Sequence, residues 1–191
     1  MLEAIGELAG FGKLGGSRDH QLFDADPWEE DSGRSLASYM GASWLPKMTQ
    51  GWFFRAESFF SLSNFLEKSA FDSHQTGPDF LSHSHGEGFM RFFEERGRKK
   101  GLFIFDEPES ALSPQRQFDF IKHIVSQAAK DNLQAVIATH SPILMAIPGA
   151  RLLQLDASGL NETTFGKTAH FRLYREFFLD PEGTVATMIE E

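Results

Sequence analysis

The run Leu102-Phe103-Ile104-Phe105 is apolar throughout and ends on three carboxylates in four residues, Asp106-Glu107-Pro108-Glu109. A strand with no polar alternation needs apolar cover on both faces of its sheet, which points to a buried parallel sheet. Carboxylates at the end of such a strand cost stability unless something cationic lies beside them. This one stretch therefore constrains both the fold class and the place where chemistry is to be sought.

The remaining segments supply the order. Trp52 to Arg55 reads as a short aromatic strand, Ala135 to Ala138 as an apolar strand running into Thr139-His140-Ser141-Pro142, and Arg151 to Leu155 as a further strand. Ser84 and Glu87 have the spacing of a capping box, with Phe89, Phe92 and Phe93 as the apolar stripe behind it. Ser113-Pro114 offers a hydroxyl cap followed by proline at the first helical position, and Phe118, Ile121, Val125 and Ala128 mark the expected buried face of that helix. Helices are also expected over Leu2 to Ala9, about Glu57 to Lys68 and His170 to Phe178, with one or two turns over Ser35 to Met40. Strands alternating with helices in this order predict an α/β fold, a mostly parallel sheet flanked by helices with right-handed crossovers.

The 191 residues suit one domain, with about 35–100 as a helical subregion and 101–160 as the core. Twenty phenylalanines predict an aromatic core. The net charge of -9, with Arg96-Gly97-Arg98-Lys99-Lys100 as the one basic run, argues against broad electrostatic binding of nucleic acid. The absence of cysteine excludes disulfides and thiolate metal sites. His74, His83 and His85 lie in a segment without a fixed scaffold, so they are not read as metal ligands. No apolar run reaches membrane-spanning length, and the cytoplasm is the expected location.

In open parallel sheets ligands bind at the carboxyl ends of the strands. Two strands here end in functional clusters, Asp106-Glu107 and Thr139-His140-Ser141. Asp106 is suited to hold a hydrated Mg²⁺, Glu107 to orient and deprotonate a water, and His140 to contact a phosphate or that water.

These residues carry a family resemblance. "LFIFDEPE" resembles the Walker B strand of ATP-binding-cassette-type ATPases, with Asp106 in the magnesium position and Glu107 in that of the catalytic base. "SALSPQRQ" is similar to the D-loop with its helix, and "IATHSP" to the switch strand with its His140. "SHGEG" resembles the signature motif through Ser84, Gly86 and Glu87, with His85 where glycine is commoner. The likeness is to small bacterial ATPases of the ABC/SMC-like class, which implies a P-loop NTPase fold, ATP and Mg²⁺ as cofactors, and a nucleotide shared between subunits. The signature serine and helix amino-terminus would bind the γ-phosphate of ATP held opposite. Arg55 to Glu57 lies roughly where the Q-loop would be, but no glutamine is present and no role is carried across.

No G-x-x-x-x-G-K-[ST] loop occurs, and "GFGKLGGS" has the wrong spacing. "MLEAIGELAGF" resembles the helix that follows such a loop, so the resemblance implies a chain that starts just after it, missing its N-terminal strands and phosphate loop. On that reading Ala135 to Ala138 and Arg151 to Leu155 flank a vacant strand position. The Walker B and switch strands should stay paired, while Arg151 to Leu155 shifts across the gap or pairs elsewhere. Negligible hydrolysis by this chain alone is expected, with a homodimer or a complete ATPase homologue as partner. Two other functions stay open: a non-catalytic module that offers its signature face to an intact ATPase, and a metal-dependent nuclease using Asp106, Glu107 and Glu109.

Overall fold

The computed structural model describes residues 1–12, 15–19, 36–44, 50–56, 85–97, 99–131 and 133–190. They form two compact units, Met1–Thr139 and His140–Glu191. The helix expected over Glu57 to Lys68 lies outside the described residues.

The first unit is built on a parallel three-stranded sheet, β1 (Gly51–Arg55), β2 (Gly101–Asp106) and β3 (Leu133–Ala138), in the order β1-β2-β3. Its alternate residues cover opposite faces. Phe53, Leu102 and Ile104 face helix α1 (Leu2–Ala9), packing with Ala9, Phe11, Leu2 and Ile5. The absence of a side chain at Gly6 lets α1 approach, since a Cβ there would stand 3.0 Å from the Phe53 ring. Helix α1 ends at Gly10 in the left-handed region, and the Arg18 guanidinium donates to the Ala9 carbonyl at 2.7 and 2.8 Å. At the other end of the sheet Gly51 has φ 144°, and any Cβ there would fall 1.8 Å from the Leu102 carbonyl oxygen, so β1 can lie against β2 only through glycine.

Trp52, Phe54, Phe103 and Phe105 face helices α2 (His85–Arg96) and α3 (Pro114–Ala128). The stripe Phe89, Phe92 and Phe93 is fully buried there, as the sequence pattern predicts. Phe105 stacks on Phe54 at 4.9 Å and meets Phe93 and Phe120 edge-on at 5.0 and 4.9 Å. The strand of unbroken apolar residues is thus covered on both faces.

The face of α3 differs from expectation. Ser113 caps the helix as predicted, its Oγ accepting from the Arg116 amide. The buried residues, however, are Gln117, Phe120 and Ile124, whereas Phe118 and Val125 are exposed. Two apolar stripes one position apart share this helix, and the Phe120 ring fits the space among Phe89, Phe93 and Phe105. The amide of Gln117 is accommodated on that face by donating to the Leu112 carbonyl.

His123, also on α3, stands edge-on to Phe93 at 4.7 Å. Burial holds its pKa below the ordinary imidazole value; Lys130 acts in the same direction and Glu94 opposes. The unfolded chain therefore takes up this proton first as pH falls. The contribution of His123 is level above the ordinary value of about 6.5, and stability declines through that value until the folded ring protonates. His123→Phe should flatten this acid limb. Urea unfolding at pH 8 and pH 5.5 should show a smaller loss for the variant, and equal losses would refute the assignment.

In the second unit, helix α4 (Pro142–Met145) begins with Ser141-Pro142, the same hydroxyl-proline start as α3; Ser141 Oγ accepts from the amides of Ile143 and Leu144. Arg151 to Leu155 does not continue the parallel sheet. Its strand, β4 (Leu153–Asp156), pairs antiparallel with β5 (Gly159–Glu162). The cause is local: Asp156 accepts from the Ser158 amide and hydroxyl at 2.8 and 2.6 Å, closing a turn whose next residue, Gly159, has φ 111°. Strands β2 and β3 pair, and the strand within Arg151 to Leu155 pairs with β5. Helices α5 (Ala169–Leu179) and α6 (Pro181–Glu190) pack together; the sequence pattern points only to the first. No described helix is long and apolar enough to cross a membrane.

Candidate functional site

The carboxyl end of β2 answers the question its sequence raises. Asp106 lies in register with Arg55 on β1 and Ala138 on β3. The Arg55 Nε stands 3.5 Å from Asp106 Oδ2, and its Nη1 donates to Glu3 Oε1 on α1 at 2.9 Å. One guanidinium thus holds two carboxylates from two different elements. All three side chains are partly exposed, between 21% and 30%, so water reaches the group.

Glu107 follows with φ 47° and ψ 53°, the left-handed region, which an L-residue other than glycine adopts at a cost of about 1 kcal/mol. Two features hold it there. Its amide donates to the Ala138 carbonyl at 3.0 Å, extending the β2–β3 ladder past Asp106. Pro108, fully buried, then starts a 3₁₀ turn, Pro108–Ala111. The outcome is an exposed Glu107 carboxylate on a strained, anchored backbone.

Glu87, in the first turn of α2, accepts from Arg116 Nη2 on α3 at 2.8 Å. Helices α2 and α3 are thereby tied by an ion pair. Arg116 carries no functional signal in the sequence, because a charge three positions after a serine cap gives no hint of its partner. Gly86 lies in the first turn of α2, and Ser84 lies outside the described residues, as do His74 and His83.

His140 belongs to the second unit, where its Nδ1 stands 3.4 Å from Nε2 of His170 in the first turn of α5. His170 carries no sequence signal beyond its residue type. Along the chain His140 follows β3 by two residues.

The donor set at the β2 end is hard oxygen. No group of three or more potential ligands occurs among the described residues. Carboxylate oxygens are hard donors, the kind of which a hydrated Mg²⁺ takes one or two.

Residues 47–146, slightly more than half of the chain, match the family described as "AAA domain, putative AbiEii toxin, Type IV TA system". A segment of 68 residues, 36% of the chain, is 37% identical to the OLD nuclease of Thermus scotoductus. The chain spans only 13% of that relative's length. The matched family region runs from just before β1 to the end of α4 and so includes the Asp106 cluster, the Glu87–Arg116 pair and His140. With its helix-flanked parallel sheet and carboxylates at the central strand's end, the chain belongs to this AAA domain family.

Proposed function

We propose that the chain forms part of an ATP-hydrolysing site of the ABC/SMC-like class. Asp106 holds Mg²⁺ together with water and phosphate oxygens, Glu107 orients and deprotonates the attacking water, and His140 contacts the transferred phosphate. When bound, Mg²⁺ neutralises charge on the phosphoryl oxygens. Ser84 and the backbone amides that follow it, at Gly86 and Glu87, bind the γ-phosphate of a nucleotide held by another subunit, in a homodimer or with a complete ATPase homologue. The phosphate-cradling loop is not among these 191 residues, so the site is complete only where such a loop is supplied. The observation that carries this reading is the β2 end: the β2–β3 register and the Glu107 amide bond present adjacent carboxylates, one paired to a cation and one exposed on anchored, strained backbone.

The test mixes the chain with a homologue that has an intact phosphate loop and follows pairing by sedimentation. Pairing should require ATP and Mg²⁺, and Ser84→Arg should abolish it while leaving the circular dichroism of the chain unchanged. The chain alone should turn over ATP negligibly. Equal pairing with Ser84→Arg removes the trans-acting role. A rate of roughly one per second from the chain alone, abolished by Glu107→Gln, overturns its incompleteness.

A second reading, metal-dependent cleavage of nucleic acid at Asp106, Glu107 and Glu109, is favoured by the likeness to a protein named a nuclease. That likeness covers too little of the relative to carry its activity across, and the net charge of -9 disfavours a polyanion.

A further inference from the structure

Arg55 is placed where a divalent cation at Asp106 would be felt most. Its guanidinium stands 3.5 Å from the Asp106 carboxylate, in a cross-strand pair fixed by the parallel register, and the same group donates to Glu3 on α1. A doubly charged ion bound to Asp106 and a guanidinium on the same carboxylate repel one another, and with these side chains only about a quarter exposed, solvent screens that repulsion incompletely.

We propose that Arg55 is a resident counter-cation of Asp106 that metal must displace, so that metal loading at β2 also acts on the tether to α1. The inference rests on the reading of Asp106 as the metal position and adds a competitor to it. Glu3 sets the strength of that competition. While Glu3 shares the guanidinium, Arg55 is drawn partly off Asp106; without Glu3, Arg55 bears more fully on Asp106. Arg55 and Glu3 thus act on metal affinity at Asp106 with opposite signs. Arg55 lowers it directly, and Glu3 raises it by holding Arg55 back.

The experiment is a Mn²⁺ titration of the full chain without nucleotide, read by the electron paramagnetic resonance of free Mn²⁺. Arg55→Gln should tighten binding about fivefold or more, and Glu3→Gln should weaken it about two- to threefold. Asp106→Asn should abolish the gain made by Arg55→Gln. Glu3→Gln is a change on a partly exposed helix face and serves as the test if Arg55→Gln does not fold. Hydrogen exchange adds an independent readout: by leaving Arg55 to Glu3, Mn²⁺ should slow exchange of the α1 amides in the native chain and leave them unchanged in Arg55→Gln. If Asp106→Asn removes Mn²⁺ binding while Arg55→Gln and Glu3→Gln leave it unaltered, the role of Arg55 is overturned and the metal position stands. If Asp106→Asn leaves Mn²⁺ binding unchanged, both fall.

Discussion

Phe120→Ala is expected to cost about 3–5 kcal/mol, while Phe118→Ala, on the same helix, should stay within about 0.5 kcal/mol. Phe120 is fully buried and its ring meets Phe105 edge-on at 4.9 Å, Phe93 at 5.5 Å and Phe89 at 6.4 Å. Removing it opens a cavity between α3 and the central strand, lined by rings whose backbones are held by helix and sheet and cannot collapse into it. Phe118 is 57% exposed and loses little when truncated. Against a total stability of about 5–15 kcal/mol for a domain, the first change should move a chemical unfolding midpoint drastically and the second barely. A larger shift for Phe118→Ala than for Phe120→Ala would mean that α3 packs in the other register.

Glu107 should separate stability from activity. Its backbone, at φ 47°, is one that glycine adopts freely, so Glu107→Gly is expected to stabilise the fold by about 0.5–1.5 kcal/mol. Glu107→Gln keeps the strain and should leave stability unchanged. In an assembly that supplies the phosphate loop, both should lower turnover by about 10²–10⁴, the range for losing a positioned general base. Thermal unfolding of the chain and single-turnover hydrolysis by the assembly check the two halves separately. A destabilised Glu107→Gly would show that the side chain holds the turn together; retained turnover in both variants would remove the assignment as base.

Much of the frame is legible in the residues because it depends on local chemistry. Leu102 to Phe105 has no polar position to offer to water, so a covered strand is its one stable use. Ser113-Pro114 starts a helix wherever it lies, since the hydroxyl and the fixed φ act on the next turn only. Leu2 to Ala9 forms the helix that its pattern predicts, and Phe89, Phe92 and Phe93 are buried as their spacing requires. The adjacency of Asp106 and Glu107 at a strand end is likewise a property of the chain itself.

What tertiary structure decided are the pairings between distant segments. Which of two stripes on α3 faces inward depended on where Phe89, Phe93 and Phe105 left room, and periodicity alone is satisfied by either. Arg151 to Leu155 has the composition of a core strand, but its partner is set by the Asp156-Ser158 turn that folds it onto β5. The cation beside Asp106 comes from the parallel register of β1 with β2, 51 residues away in sequence, and its second carboxylate from α1, 52 residues from Arg55 in the other direction. A sequence states that a charge needs a partner; only the register of the folded chain selects Arg55, because that choice depends on distance in space and not on distance along the chain.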